Sequence, residues 1–158
     1  MTDTAPPDSA AGALELADAA ATLALGARLA HALQVGDVVL LRGELGAGKT
    51  TLARGLIAAW TGVDEDAPSP TYTLVQVYEG PRGSLWHMDL YRLRDAEEAL
   101  ELGLEDALAY AVTIIEWPER LGPFSPPDRV EIDLTLVGAG RRAAVSAFGR
   151  LKGALDVG

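Results

Sequence analysis

The sequence predicts a single α/β domain, and three observations carry that prediction. An apolar run, Asp37 to Arg42, reads as a buried strand. It leads through Gly43-Glu44-Leu45-Gly46-Ala47-Gly48-Lys49-Thr50 into a helical pattern from Thr51 to Trp60. A second apolar run, Ala111 to Ile115, is β-branched and also reads as a buried strand. At 158 residues, with 49% hydrophobic and 23% charged residues, the chain is long enough for one domain with a substantial core.

The elements follow in order. Residues 1–12 contain Pro6-Pro7 and small polar residues and read as a disordered tail, leaving 13–158 as the domain. Asp18 starts a helix to about Leu33, with Leu25, Leu29 and Leu33 as its apolar stripe. Gln34-Val35-Gly36 ends it. Leu52, Leu56 and Trp60 give the second helix its buried face. An acidic loop follows, then Pro68-Ser69-Pro70, whose prolines stiffen the approach to a strand over about Thr71 to Tyr78. Glu79 to Gly83 reads as a turn and Ser84 to Leu90 as the returning strand of an antiparallel hairpin. Asp95 and Glu98 resemble a capping box before a short helix, which Gly103 interrupts. Arg129 to Val137 alternates apolar and polar residues, and Arg141 to Phe148 returns as its partner strand.

Composition excludes several classes. There is no cysteine, so disulfides and thiolate metal sites are ruled out. No apolar run approaches a membrane span, and the N-terminus lacks a basic, signal-like start, so the cytoplasm is the expected location. The formal net charge of −10 opposes a phosphate backbone, and Arg141-Arg142 is a weak basic patch. Tight direct binding of nucleic acid is not expected.

The glycine-rich stretch carries the chemistry. Gly43 to Thr50 matches G-x-x-x-x-G-K-[ST], the phosphate-holding P-loop. Glycines let the backbone approach phosphates, and successive N–H groups at a helix N-terminus form an anion nest. Lys49 can reach the β- and γ-phosphates, and Thr50 offers a hydroxyl to Mg²⁺. Only two lysines occur, Lys49 and Lys152, so arginine is the default cation and a lysine here stands out.

A P-loop ATPase also needs a carboxylate near Mg²⁺, usually at the end of a core strand. Glu116 and Asp89 both fit, each closing a predicted strand. His87 either orients Asp89 or packs. Trp117, next to Glu116, either stacks on a ligand or packs. Ser69 and Thr71 fall where phosphate-sensing switch segments occur in P-loop proteins, though loop hydroxyls usually lack that role.

Four blocks now stand in order: Gly43 to Thr51, Ser69-Pro70-Thr71-Tyr72-Thr73-Leu74-Val75, His87-Met88-Asp89-Leu90-Tyr91-Arg92-Leu93 and Ile115-Glu116-Trp117-Pro118-Glu119. Together they resemble the TsaE (YjeE) family, small bacterial P-loop ATPases required to make threonylcarbamoyladenosine in tRNA. The resemblance covers about Asp18 to Phe148. It implies a single-domain P-loop NTPase with a central mixed sheet flanked by helices and the P-loop at its centre. It implies ATP and Mg²⁺, with Thr50 and Glu116 on the metal and Asp89 near the γ-phosphate through water. Ser69, Pro70 and Thr71 would form a switch-like loop. Adenine would lie near Thr22, and Arg141 would approach the nucleotide. The implied partners are TsaD and TsaB, with tRNA met only indirectly. Glu44 stands where many members have aspartate.

Other readings compete. A small-molecule P-loop kinase usually carries an arginine-rich lid, whereas the arginines here are scattered. A GTP switch typically reads guanine with N-K-x-D, and this chain has no asparagine. A module that binds nucleotide without turnover would release no phosphate with or without partners. Arg92 and Arg94 follow Asp89 closely and would either serve the site in cis or mark a docking surface.

Overall fold

The computed structural model describes residues 9–63 and 74–154. Seven strands form one sheet: β1 (Ser9–Leu16), β2 (Val38–Gly43), β3 (Val75–Gly80), β4 (Gly83–Asp89), β5 (Ala111–Glu116), β6 (Arg129–Val137) and β7 (Gly140–Phe148). The helices are α1 (Ala19–Ala32), α2 (Lys49–Thr61), α3 (Ala96–Glu101), α4 (Leu104–Tyr110) and the single turn α5 (Leu151–Ala154). The strand order is β1-β7-β6-β2-β5-β4-β3, which puts the P-loop strand β2 at the centre. Around it β6, β2, β5 and β4 run parallel, while β1–β7, β6–β7 and β3–β4 pair antiparallel. The sheet is therefore mixed and flanked by helices, the architecture of a P-loop NTPase.

Strand alternation sorts the two cores. Val39 and Leu41 of β2 pack with Leu52, Leu56 and Trp60 of α2 and Leu25 and Leu29 of α1. Val38 and Leu40 face the other way, against Met88, Ala99 and Leu104. In β5, Val112 and Ile114 lie on the α1/α2 face. Glu116 continues that parity, and so do His87 and Asp89 after Leu85 in β4. The polar ends of two neighbouring parallel strands, β4 and β5, thus meet on the face where α2 begins.

Helix α1 starts where the sequence places it: Asp18 Oδ1 accepts from Ala21 N at 2.9 Å. Its C-terminal carbonyls are held by arginines from elsewhere, Arg82 on Ala30 and Leu33, and Arg150 on Ala32. Among the described residues, no helix is long and apolar enough to cross a membrane.

The expected tail over 1–12 needs correction, because Ser9–Gly12 belong to β1. That strand has an Ala/Gly-rich sequence with no β-branched residue, so local propensity gives no sign of it. Its pairing comes from β7, from Ser9 opposite Phe148 to Leu16 opposite Arg141, with a Glu15–Arg142 ion pair at 2.7 Å. The β3–β4 turn is also tighter than the predicted Glu79–Gly83, because Gly80 and Gly83 still pair and only Pro81-Arg82 bridge them.

Helices α1 and α2 cross closely at two glycines. A Cβ on Gly26 would press on Leu52 O and Leu56 N, and one on Gly55 on Leu23 O, Leu23 C and Leu23 Cα. Gly55→Ala is expected to destabilise the fold by about 3 kcal/mol, because the obstacle is backbone and the helices must part. Urea unfolding checks this. A midpoint equal to wild type would show that the crossing tolerates a methyl group.

Candidate functional site

The loop between β2 and α2 is shaped by backbone that only glycine adopts readily. Gly46 has φ 83° and Gly48 φ 107°. Gly48 is the N-cap of α2 and no side chain caps the helix. The first intrahelical bond runs from Leu52 N to Gly48 O at 2.9 Å. The amides of Lys49, Thr50 and Thr51 are therefore first-turn donors without helical acceptors, the arrangement that receives an anion.

These residues line a cleft of about 380 Å³, bounded by Glu44, Leu45, Gly46, Gly48, Lys49, Thr50 and Thr51 on the loop side. Across it stand Asp89, Tyr91, Glu116 and Trp117, with Arg141 at the remaining edge. A smaller hollow of about 120 Å³ continues past Gly48 and Thr51 and is lined by Asp18, Thr22, Gly140 and Arg141. Arg141 is anchored there by donating to Gly46 O and Gly140 O, both at 3.1 Å. Gly43 and Ala47 lie behind the loop, on a separate cavity shared with Asp133 and Leu134. The structure thus gathers Glu44 to Gly46, Gly48 to Thr51, Asp89, Glu116 and Arg141 around one cleft, with Thr22 in a second hollow that shares Gly48, Thr51 and Arg141 with it. Ser69, Pro70 and Thr71 lie outside the described residues.

The two carboxylates meet through strand register, since Asp89 is the direct partner of Glu116 in the parallel β4–β5 pair. Glu116 is 2% exposed. Its Oε1 accepts from Thr50 Oγ1 at 3.4 Å and its Oε2 lies 2.6 Å from His87 Nε2. Asp89 accepts from Tyr91 N at 3.1 Å, which turns the chain away at the strand end.

Lys49 Nζ donates to the carbonyls of Gly43 and Glu44 and sits 3.8 Å from the centroid of the Trp117 ring. Burial lowers its pKa below the ordinary lysine value, and Glu116, Glu119 and Asp89 offset that in part. Trp117 itself has φ 61°, the one non-glycine residue with positive φ among those described. A tryptophan in that region is strained, and such strain concentrates at functional sites. Here it turns the indole over Lys49 and against Tyr91, whose ring lies 4.8 Å away.

Two side chains have more to do than the sequence alone indicates. His87 contacts Glu116, so neither alternative read for it, orienting Asp89 or simply packing, describes it fully. The available signal is its even spacing from Asp89 on one strand face. Trp117 lies over the loop lysine, and only its place beside Glu116 hints at this.

Thr50 Oγ1 and Glu116 Oε1 present hard oxygen donors of the kind Mg²⁺ takes. Among the described residues, no group of three or more His, Asp or Glu side chains forms a metal cage. A cation held here would draw its other ligands from phosphate and water, as Mg²⁺ does at nucleotide sites.

Comparison with known proteins agrees with this geometry. Residues 16–144 match the family described as "TsaE: Threonylcarbamoyl adenosine biosynthesis protein TsaE". Similar proteins carrying the name tRNA threonylcarbamoyladenosine biosynthesis protein TsaE include one from Rickettsia bellii, 41% identical over 72% of this chain and 78% of its own. Another, from Nostoc sp., is 42% identical over 82% of this chain and 81% of its own. A third, from Mycobacterium leprae, is 44% identical over 73% and 77%. The crystal structure of Bacillus subtilis YdiB superposes with a TM-score of 0.75 at 26% identity, covering 92% of this chain and 90% of that one. With the loop, the paired strand ends and these matches in one place, the chain belongs to the TsaE family.

Proposed function

We propose that this chain is the ATP-binding and hydrolysing component of the machinery that forms threonylcarbamoyladenosine in tRNA, and that it acts on protein partners homologous to TsaD and TsaB. The observation that carries the reading is the convergence of Thr50 and Glu116, 3.4 Å apart, at the mouth of a P-loop in a chain of this family. The first-turn amides of α2 and Lys49 hold the phosphates. Thr50 and Glu116 would hold Mg²⁺, which when bound would supply electrostatic stabilisation of phosphate charge. Asp89, at the neighbouring strand end, orients the water that attacks the γ-phosphorus as ADP leaves. Thr22 and Arg141 border the hollow that takes the nucleoside end. The net charge of −10 supports a protein that meets tRNA only through its partners.

The test is reconstitution with TsaB and TsaD homologues, tRNA and the threonylcarbamoyl donor, following tRNA modification and phosphate release together. Wild type is expected to support both. Glu116→Ala and Asp89→Ala should stay folded and lose ATP turnover by about 100-fold or more, the scale of removing a transition-state electrostatic partner. Wild-type hydrolysis by either variant overturns that residue's role. A reconstituted system that modifies tRNA equally well without this chain overturns the function.

A further inference from the structure

His87 is fully buried in the middle of a sheet strand, where an aliphatic residue would pack without desolvating a ring nitrogen. Its Nε2 contacts Glu116 Oε2 at 2.6 Å, and its Nδ1 is one of two buried side-chain polar atoms without a partner among the described residues. The cross-strand neighbours, Gln76 on β3 and Ile114 on β5, flank it in register. A carboxylate oxygen accepts, so the tautomer that bonds Glu116 is the one with the proton on Nε2. The bare Nδ1 lone pair is then the atom left facing the interior. The reverse tautomer would set a lone pair against a carboxylate and bury an unpartnered N–H.

We infer that His87 is the positioning residue of Glu116: its Nε2–H occupies Oε2 and thereby holds Oε1 turned toward Thr50 and the cation they share. The inference rests on the metal role proposed for Glu116. The geometric basis is the division of labour between the two oxygens, one at 2.6 Å from His87 and the other at 3.4 Å from Thr50. Without the donor, the carboxylate is free to rotate about its last bond, and its buried Oε2 loses its partner. Partners that orient a metal ligand in this way are typically worth about 10–100-fold in metal affinity.

Two amide variants separate positioning from packing. A glutamine amide nitrogen reaches the place of histidine Nε2, whereas an asparagine amide stops near Nδ1. His87→Gln therefore keeps a donor for Glu116 and His87→Asn does not, although both bury a neutral amide. Mn²⁺ is titrated into the protein bound to a non-hydrolysable ATP analogue and followed by electron paramagnetic resonance. His87→Asn is expected to weaken Mn²⁺ binding by about 10–100-fold and His87→Gln by no more than about threefold. Affinity for the analogue in EDTA should be unchanged in both.

Equal Mn²⁺ affinity in His87→Asn and wild type, or equal loss in both amides, overturns the positioning role. If wild type itself fails to bind the analogue, the ATPase reading fails instead, so the two failures are distinguishable. A second measurement needs no variant. The ¹⁵N spectrum of wild-type histidine should show His87 protonated at Nε2 and bare at Nδ1. The opposite tautomer overturns the inference, and this spectrum decides if His87→Asn does not fold.

Discussion

Lys49→Ala is expected to remove most ATP binding, with affinity falling about 100-fold or more. Lys49 is the P-loop cation, and charge-assisted hydrogen bonds to phosphate are the strong kind. Two of them account for a loss of this order. Lys49 Nζ is held by the carbonyls of Gly43 and Glu44 and by the face of Trp117. Burial there works against its charge, and the carboxylates of Glu116, Glu119 and Asp89 only partly offset that. Phosphate oxygens supply what the site lacks, a close and concentrated negative charge, so the lysine side chain is spent on the ligand rather than on the fold. Thr50→Ala is the companion variant. It should weaken binding with Mg²⁺ more than binding in EDTA, because it deletes the proposed metal donor and leaves the amide nest intact. Calorimetry with ATP, with and without Mg²⁺, measures both. Equal affinity in Lys49→Ala and wild type would remove the phosphate site from the loop.

How far the sequence reveals this site depends on whether its parts are local. The phosphate loop is contiguous, and its strand and helix are written in adjacent apolar patterns, so Gly43 to Thr51 is legible outright. Glu116 and Asp89 are legible as the ends of apolar runs. Their adjacency is not, because it rests on the parallel register of β4 and β5. The contact of His87 with Glu116 joins residues 29 apart in sequence, and no local pattern encodes it. Trp117 escapes for a different reason: its side chain is aimed by a positive φ that tryptophan does not favour on its own. Strand β1 is a case of tertiary pairing overriding propensity, since β7 offers it an edge and Ser9–Leu16 has little intrinsic preference to extend. Glycine inside a helix ordinarily weakens it, yet Gly26 and Gly55 are where two helices meet.

Partners are expected to accelerate hydrolysis by about 10³-fold or more in single turnover, because among the described residues the cleft is lined by no cation but Lys49 and the backbone-anchored Arg141. Phosphoryl transfer spreads charge over the equatorial oxygens, and an arginine finger typically contributes about 10³–10⁵ in rate. The cations lining the cleft are Lys49 and Arg141. Arg141 is tied to Gly46 O and Gly140 O and also borders the hollow with Thr22 and Thr51. Arg92 is exposed beyond the strand end and does not line the cleft. The cleft is also lined by Glu116, Asp89, Tyr91 and Trp117, so the wall beyond the loop is acidic and aromatic. An acidic wall suits an incoming guanidinium. Leu45, 66% exposed at the tip of the loop, offers apolar surface beside the opening for the protein that brings it. The measurement is single-turnover ATP hydrolysis by the purified chain, alone and with the TsaB–TsaD pair, at saturating concentrations. Slow turnover alone and a large increase with the pair is the expected result. Full activity alone, unchanged by the pair and lost in Arg92→Ala or Arg141→Ala, would show that the chain completes its own site. In that case Arg92 or Arg141 must leave its present position when nucleotide binds, and the acidic wall would serve to draw that arginine in rather than a partner's.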